Sequence, residues 1–300
     1  MLKEKRGKRI GVWGACDTGG LSASLALLLH NHQVSALRPP TEEELRNAWI
    51  ESMRERVDIL VVPISWQQPG WGLTFQLDVL RKAGLQIISY PLIVFGAFHP
   101  DMCFAYRGSL TSPIFPHYNS KIVAWSYANK VPIDQAATFF NESVFSLLGY
   151  FDAWNPEVSK LQLEFEKCNL DFQFFYWKVK RMGAFMHSFN HPKIQTIVAL
   201  AKCLTVKLVG RSEVITDTSL EIPDGLSHAD WPIYPEIGER LSLRTSYRWS
   251  SEKTGGASFS LPEYIHHAYS KYEELGLDGS EMIYEDSERT NSVLRPLLGH

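Results

Sequence analysis

The residues of this chain whose types and spacing could do chemistry begin with a cysteine in a glycine-rich turn. Residues 10–21 read Ile-Gly-Val-Trp-Gly-Ala-Cys-Asp-Thr-Gly-Gly-Leu, an apolar run that leads into a turn around Cys16. Residues 21–30 follow with leucines at helical spacing. Nucleophiles are often placed on such strand-to-helix turns, where free N–H groups favour a thiolate, a phosphate or an oxyanion. We therefore interpret Cys16 as an active-site candidate; a buried cysteine in an ordinary strand–turn–helix unit is the alternative.

A histidine and a carboxylate two residues apart follow the strand predicted at residues 85–90. Both belong to the segment Phe95-Gly96-Ala97-Phe98-His99-Pro100-Asp101. Because ligands bind at the carboxyl ends of strands in open α/β sheets, we expect His99 and Asp101 to face the same crevice as Cys16. We predict that His99 is a general base and that Asp101 orients it, since a carboxylate fixes the imidazole tautomer. A loop with a solvated histidine and a turn-capping aspartate is the alternative.

Two further histidines, His187 and His191, lie four residues apart at a predicted junction between helices. This spacing suits metal ligands on a helix, but Asn190-His191-Pro192 breaks the helical pattern and no third ligand is nearby. The sequence therefore predicts that no metal is bound. We expect one of the two histidines to be catalytic or to orient a ligand; an aromatic-rich junction with satisfied polar groups is the alternative.

Several cations could bind a phosphorylated ligand. Arg181 and Lys193 flank the histidine junction, which makes them the better candidates. Residues 250–256 resemble a mobile loop or lid, and their order is not that of a Walker A phosphate loop. The other basic residues considered are Arg38, Arg107, Lys121, Arg211, Arg248 and Lys253.

The first hundred residues alternate between strand and helix patterns, which predicts a parallel sheet covered by helices. The continuous apolar run at residues 58–64 is typical of a buried parallel strand. Thr41 and Glu44 fit a capping box, and Gly84 fits a helix C-cap. We predict strands at residues 9–15, 34–38, 58–64 and 85–90, and helices at residues 21–30, 41–56 and 73–83.

The remainder of the chain is predicted to be mainly helical. No flexible linker, internal repeat or low-complexity tract separates it from the first part. We therefore predict a single α/β domain over residues 1–300, with a parallel-sheet core in 1–110 and mainly helical additions in 111–300. The predicted helices lie at residues 119–130, 133–148, 156–168, 171–186, 191–205 and 261–275, the last closed by Gly276.

Composition excludes several classes of protein. The 300 residues are 45% hydrophobic and carry a net charge of −3, which argues against a dedicated nucleic-acid binder. No stretch approaches the roughly 20 apolar residues of a membrane span, and the basic start of the chain leads into a run too polar for a signal peptide. The four cysteines, Cys16, Cys103, Cys168 and Cys203, form no CxxC pair. This pattern predicts reduced thiols and a cytoplasmic location.

Several short segments along the chain form a pattern by their order and spacing. The segments are Gly14-Ala15-Cys16-Asp17, Phe98-His99-Pro100-Asp101, Phe140-Asn141, Leu148-Gly149-Tyr150-Phe151-Asp152, residues 183–192, Trp231-Pro232 and the terminal helix. Each segment alone is a weak signal, but their order and spacing are fairly specific, and they cover most of the chain. Taken together, they resemble the WcbI-type family of capsular-polysaccharide biosynthesis proteins.

The resemblance implies coenzyme A binding, O-acetylation of a sugar and a flavodoxin-like core similar to that of SGNH hydrolases. One departure is that Ala15 and Asp17 stand where the family would have Asn and Gln. A carboxylate beside the thiol is expected to raise the pKa of Cys16 unless a cation or a helix dipole offsets it. Coenzyme A, or the acyl-CoA that donates the acetyl group, is expected to contact the Cys16 turn and nearby cations. The residues predicted for this contact are Gly14, Asp17, Thr18, Gly19, Arg181 and Lys193.

Three functions are compatible with these features. The first is an acyl-CoA-dependent O-acetyltransferase, in which Cys16 either takes the acetyl group or lines the oxyanion site while a histidine deprotonates the sugar hydroxyl. Its expected partners are a small-molecule acyl donor and a saccharide acceptor, with no nucleic acid and no metal. The second is an esterase on the same scaffold, and the third is a non-catalytic glycan- or nucleotide-binding component of a biosynthetic complex.

Overall fold

The computed structural model describes residues 7–38, 43–67, 74–82, 84–106, 118–210, 221–243, 245–250, 257–277, 283–284 and 286–299. The chain divides into two compact units. The first unit comprises Met1–Val94, Ser159–Met186 and Asn190–Ser227. The second unit comprises Phe95–Val158, His187–Phe189 and His228–His300. A single domain with a core in residues 1–110 stays a prediction.

The helices and strands alternate at the start of the chain and helices dominate afterwards, as the sequence predicts. In chain order the elements are β1 (Arg9–Val12), α1 (Thr18–Leu28), β2 (Gln33–Ala36), α2 (Glu43–Arg56), β3 (Ile59–Pro63), α3 (Thr74–Lys82), β4 (Gln86–Tyr90), β5 (Met102–Tyr106), β6 (Tyr118–Ser120), α4 (Lys121–Ala128), α5 (Ile133–Thr138), α6 (Glu142–Leu147), α7 (Trp154–Lys167), α8 (Phe172–Lys180), β7 (Met186–Ser188), β8 (His191–Pro192), α9 (Ile194–Val209), α10 (Pro235–Leu241), β9 (Trp249–Ser250), β10 (Ser258–Phe259), α11 (Leu261–Glu274), β11 (Ile283–Tyr284) and α12 (Ser287–Leu294).

The first unit contains a four-stranded parallel sheet in the order β2-β1-β3-β4. Ile10 of β1 lies opposite Val34 on one side and Ile59 on the other. All five residues of β3 are buried, as expected for an inner parallel strand of continuous apolar sequence. This strand order is that of doubly wound sheets, in which ligands bind at the carboxyl ends of the strands. The α/β fold with a parallel sheet in the amino-terminal part is thus confirmed.

Helices α1 and α9 pack closely together in the first unit. A Cβ atom on Gly20 would lie 3.1 Å from the Cδ1 atoms of Ile194 and Ile197, so the absence of a side chain permits this approach. Helix α9 ends at Gly210, whose φ of 71° suits glycine at a helix C-terminus. The contact holds the amino-terminal end of α1 against a long, largely buried helix.

The second unit is built on a three-stranded antiparallel sheet in the order β11-β5-β6. Its core is rich in aromatic side chains, and Trp249 stacks on Tyr264 with ring centroids 4.3 Å apart. Helix α11 begins with a capping box between Ser260 and Glu263. These contacts contribute to the aromatic core of the second unit.

Several of the predicted helices differ from the structure in their bounds. The predicted helix at 133–148 is two helices, because the side chain of Asn141 accepts from Val144 N and begins α6 there. The predicted helix at 119–130 begins only at Lys121, since residues 118–120 pair with β5. The predicted helix at 171–186 ends at Lys180, and Met186 is in a strand. Part of the predicted capping box, Thr41, lies outside the described residues.

Candidate functional site

Cys16 lies on a tight turn between β1 and α1. The Thr18 hydroxyl donates to the Ala15 carbonyl at 2.7 Å, and the Thr18 amide donates to the same oxygen at 3.2 Å. The helix begins at Thr18, three residues earlier than residues 21–30 predict, so Cys16 is two residues before its first turn. Cys16 is exposed, whereas Cys103, Cys168 and Cys203 are buried. The strand–turn–helix placement predicted for the cysteine is therefore present.

Asp17 is a buried carboxylate next to this thiol. Its side chain is turned inward, where Oδ1 accepts from the hydroxyl of Tyr90 at 3.3 Å. Burial raises the pKa of Asp17 to about 6, and the hydrogen bond from Tyr90 opposes that rise. The pKa of Tyr90 is raised well above its ordinary value, first by burial and then by Asp17, so Tyr90 is the donor of this pair.

The pKa of the Cys16 thiol is raised rather than lowered. Although Cys16 is exposed, desolvation of its thiolate by the neighbouring protein atoms is the larger cause, and the negative charge of Asp17 is the second. Backbone hydrogen bonds at Cys16 and Asp17 act in the opposite direction but do not cancel the rise. The expected effect of Asp17 on the thiol is confirmed. Burial and Asp17 thus both disfavour the thiolate form of Cys16.

The glycines of the turn have different surroundings. A Cβ atom on Gly14 would lie 2.0 Å from the Tyr90 hydroxyl oxygen, so β4 and the turn require a residue without a side chain there. A Cβ atom on Gly19 would meet nothing within 4 Å. The backbone at Gly19, in the first turn of α1, is thus open to an incoming group, and the first-turn amides of a helix favour negative charge.

His99 and Asp101 are both buried in the second unit. His99 ends a short 3-10 helix, Gly96–Phe98, and its amide donates to the Gly96 carbonyl at 2.9 Å. Asp101 Oδ2 accepts from the hydroxyl of Tyr234 at 2.7 Å. Asp101 Oδ1 accepts from the hydroxyl of Tyr150 at 2.9 Å and the amide of Ile122 at 3.1 Å. The carboxylate thus holds together three separate segments.

These contacts bear on the role predicted for Asp101. Burial raises the pKa of Asp101, and its hydrogen bonds from Ser120, Tyr234, Ile122 and Tyr150 oppose the rise. Four donors use about as many acceptor positions as a carboxylate has. An orienting bond to His99 would have to replace one of them. The pairing of His99 with Asp101 stays a prediction.

His187 has a carboxylate partner that the sequence analysis missed. Its Nδ1 lies 3.0 Å from Oδ1 of Asp230, and its backbone carbonyl accepts from the Trp231 amide at 2.7 Å. His187 is buried, whereas the side chain of Asp230 is exposed. Both residues belong to the second unit, as do His99 and Asp101. The Trp231-Pro232 segment was the available signal, but nothing in the spacing shows that it lies beside His187.

The predicted junction at 183–192 lies between α8 and α9 and contains two short strands. His187 lies in β7 and His191 in β8, so the two histidines do not share a helix face. His191 is buried and belongs to the first unit. Within the described segments, no group of three His, Cys, Asp or Glu side chains is placed as a metal ion would require. That the protein needs no metal stays a prediction.

The two preferred cations belong to the first unit with Cys16. Lys193 immediately precedes α9, and its amide donates to the Phe185 carbonyl at 3.1 Å. Arg181 follows α8, is exposed, and lies 4.8 Å from the centre of the Trp177 ring. Lys121 is engaged with Asp286 at 2.9 Å. Arg38 and Arg248 are exposed, while Arg107, Arg211, Lys253 and most of the predicted lid at 250–256 lie outside the described residues.

A family profile described as "Polysaccharide biosynthesis enzyme WcbI" matches residues 9–210, which is more than half of the chain. A solved structure described as "Structural insights into WcbI, a novel polysaccharide biosynthesis enzyme" has the same fold. It is similar with a TM-score of 0.69 and 15% identity, and the match covers 96% of this chain and 95% of that one. Its description refers to native protein without a disulfide bond between coenzyme A and a cysteine.

No curated protein matches the chain. No helix in the described part of the chain is long and apolar enough to cross a membrane. The family resemblance inferred from the short segments around Cys16, His99 and Trp231 is confirmed by the profile match and by the similarity of fold. The chain belongs to the WcbI family of polysaccharide biosynthesis enzymes.

Proposed function

We propose that the protein is an acyl-CoA-dependent O-acetyltransferase that modifies a sugar hydroxyl during capsular or exopolysaccharide biosynthesis. The observation that carries this proposal is the exposed Cys16 thiol on the turn before α1. The description of the similar structure couples coenzyme A with a cysteine, and Cys16 is the exposed cysteine here. Family membership supports a role in polysaccharide biosynthesis. A core related to SGNH hydrolases remains an expectation from the sequence.

The turn around Cys16 fits an acyl-CoA. The donor carries phosphates, and the first-turn amides of α1 favour negative charge. Gly19 has no side chain that would keep a phosphate away from the backbone, and the hydroxyl of Thr18 stabilises the turn by donating to the Ala15 carbonyl. Arg181 and Lys193 are the cations that we assign to the phosphates. Gly14 and Asp17 shape the turn through Tyr90 rather than through a charge presented to solvent.

The raised pKa of Cys16 favours direct transfer over a covalent acetyl-enzyme. A covalent path needs a thiolate, and both burial and Asp17 disfavour that charge. Direct transfer needs a base for the sugar hydroxyl and donors for the developing oxyanion. In this path the hydroxyl oxygen attacks the thioester carbonyl while the base takes the hydroxyl proton. The C–S bond then breaks, and the base returns the proton to the leaving thiolate, so that coenzyme A departs as the thiol. Cys16 then lines the donor site without forming a bond.

His187 is the residue that we propose as the base. Its contact with Asp230 places Nδ1 where an N–H would donate to the carboxylate, which leaves Nε2 as the nitrogen that accepts a proton. A carboxylate in this position also stabilises the imidazolium that forms. The sequence favours His99 as the base, so the activity of His99→Gln is compared with that of His187→Gln. His191 is retained as a ligand-contacting candidate.

Calorimetry and a transfer assay test the function. The protein is titrated with coenzyme A and acetyl-CoA at low and high salt, and release of coenzyme A is followed with saccharide acceptors. We expect binding that weakens with salt, because the phosphate contacts are ionic, and turnover that requires the acceptor. Absence of binding at millimolar coenzyme A contradicts the proposal. Binding without acceptor-dependent turnover indicates a non-catalytic binding component, and turnover with water alone indicates an esterase.

A further inference from the structure

Helix α8 carries large apolar side chains on two faces. Phe172, Phe175 and Val179 are buried and form its inner face. On the outer face Trp177 is 54% exposed and Phe174 is 38% exposed, and Met182, just beyond the helix, is 41% exposed. Surface helices normally present polar residues outward. This outer face, formed by Phe174, Trp177 and Met182, is therefore suited to contact with something other than water.

Three cations surround the same face. The Nζ atom of Lys178 lies 5.0 Å from the centre of the Trp177 ring and 5.7 Å from that of Phe174. The guanidinium carbon of Arg181 lies 4.8 Å from the Trp177 ring, and Nζ of Lys180 lies 5.8 Å from the Tyr176 ring. The whole chain has a net charge of −3, so this positive cluster is local. An anionic partner with an apolar interior fits both features.

We propose that the outer face of α8 docks on the surface of a bilayer that contains anionic phospholipids. Tryptophan favours the boundary between headgroups and acyl chains, and Phe174 and Met182 offer apolar surface at the same level. Lys178 and Lys180 hold their ammonium groups 5.0 and 5.8 Å from the centres of the Trp177 and Tyr176 rings, where lipid phosphates can pair with them. The contact is peripheral, and neither lysine is among the cations that we assign to the acyl donor.

Other occupants fit the face less well. A second copy of the chain joined by two-fold symmetry would place this positive cluster close to its equivalent, which is repulsive. A sugar stacked on Trp177 would compete with Lys178 and Arg181, whose charges already lie about 5 Å from the ring centre. A bilayer surface suits both features, because its phosphates can pair with the cations and its acyl chains can contact the exposed apolar side chains.

Vesicle co-sedimentation tests the proposal with the full chain. Vesicles of phosphatidylcholine with phosphatidylglycerol are compared with vesicles of phosphatidylcholine alone. The cluster variant, Lys178→Gln/Lys180→Gln, removes the two lysines, and the control variant, Lys82→Gln/Lys130→Gln, removes the same charge from exposed positions elsewhere. Trp177→Ser keeps the charge and removes the ring. Circular dichroism and melting temperatures establish that each variant is folded.

We expect the wild type to bind the anionic vesicles and not the neutral ones. Each basic residue near an anionic surface contributes about fivefold in affinity, so the cluster variant should lose roughly 25-fold at low salt. Trp177→Ser should lose about tenfold, and the control variant should bind nearly as well as the wild type. Failure of the wild type to bind, or equal losses in cluster and control variants, overturns the proposal. Self-association abolished by Trp177→Ser, or capture of poly-glutamate without vesicle binding, also overturns it and identifies a second copy or an acidic polypeptide as the occupant.

Discussion

His187 Nδ1 lies 3.0 Å from Asp230 Oδ1, and the amide of the next residue, Trp231, donates to the His187 carbonyl at 2.7 Å. The ring and the backbone of His187 are thus held by adjacent residues of one segment. Histidine bases are commonly held by a carboxylate at one ring nitrogen, which fixes the tautomer. Mutation of His187 and of Asp230 therefore tests most directly whether the second unit supplies the general base.

His187→Gln should lower the turnover of acetyl transfer by about 10²–10⁴-fold, because a general base contributes that much to rate. The dissociation constant of coenzyme A should change little, since the base acts on the acceptor. Asp230→Asn should lower turnover by a smaller factor, roughly tenfold or more, because it positions the base rather than taking the proton. Single-turnover assays and calorimetry on the same preparations separate the two effects.

His266→Gln, on the exposed side of α11, is the matched control and should leave turnover unchanged. If His99→Gln abolishes turnover while His187→Gln retains it, the sequence-based assignment to His99 is right and the one from geometry is wrong. Asp101→Asn does not decide between them. Its hydrogen bonds to Tyr150 and Tyr234 tie it to the stability of the second unit as well.

The sequence predicted the elements that rest on local pattern. The strands β1 and β3 were predictable from continuous apolar runs, and Gly84 and Gly276 at helix ends have φ of 86° and 64°, as glycine permits. The exposed position of Cys16 was predictable because the strand, the turn and the helix around it follow one another directly in the sequence. The Asp17 contribution to the Cys16 pKa was likewise local.

The remaining features depend on contacts between distant parts of the chain. Asp230 and His187 are 43 positions apart, and no spacing rule relates them. Residues 119 and 120 are predicted to be helical from the sequence but pair with β5, so tertiary pairing overrides local preference. Asp101 is predicted from the sequence to pair with a histidine two residues away, whereas in the structure it accepts hydrogen bonds from Tyr150 and Tyr234, which come 49 and 133 positions later.

Asp17→Asn should make the Cys16 thiol more reactive. The charge of Asp17 raises the pKa of Cys16, so its removal lowers that pKa and increases the thiolate fraction at a given pH. One unit of pKa corresponds to about tenfold more thiolate below the pKa. The rate of alkylation by iodoacetamide, measured from pH 6 to pH 10, should shift to lower pH in the variant.

Cys16→Ser is the companion variant and should lose the fast alkylation entirely. The other cysteines serve as an internal control, since burial raises the pKa of Cys168 and of Cys203 to about 12. Direct transfer predicts that Cys16→Ser retains acetyl transfer within about tenfold. A loss as large as that expected for a missing nucleophile, about 10⁴-fold or more, would instead support an acetyl-cysteine intermediate.

Asp17→Asn should also stabilise the fold at neutral pH. The folded pKa of Asp17 is about 6, above the value of 3.8 for an unperturbed aspartate. The folded state therefore binds the proton more tightly, and the contribution of Asp17 to stability is full below about pH 4 and is lost as pH rises through 6. The variant should gain roughly 1–3 kcal/mol in the free energy of unfolding at pH 7.5 and much less at pH 4.5. Urea titrations of both proteins at the two pH values measure the difference; an equal gain at both values contradicts the assignment.

Gly14→Ala should destabilise the fold whereas Gly19→Ala should not, although both replace a glycine of the same turn. At Gly14 a Cβ atom would lie 2.0 Å from the Tyr90 hydroxyl oxygen, so Tyr90 or the turn must move, at a cost of about 1–3 kcal/mol. At Gly19 a Cβ atom meets nothing within 4 Å, and alanine is the better helix former, so stability should be unchanged or rise by up to about 1 kcal/mol.

Thermal melts and urea titrations measure the stability of both variants. The cause of the loss in Gly14→Ala is tested by combining it with Tyr90→Phe. Removing the hydroxyl opens the space that the Gly14→Ala methyl needs, so the double variant should lose less stability than the sum of the two single changes. Coenzyme A titration adds an independent readout. If the donor approaches the backbone at Gly19, Gly19→Ala should weaken coenzyme A binding although the fold is intact. Unchanged affinity in a stable Gly19→Ala protein would place the donor phosphates elsewhere.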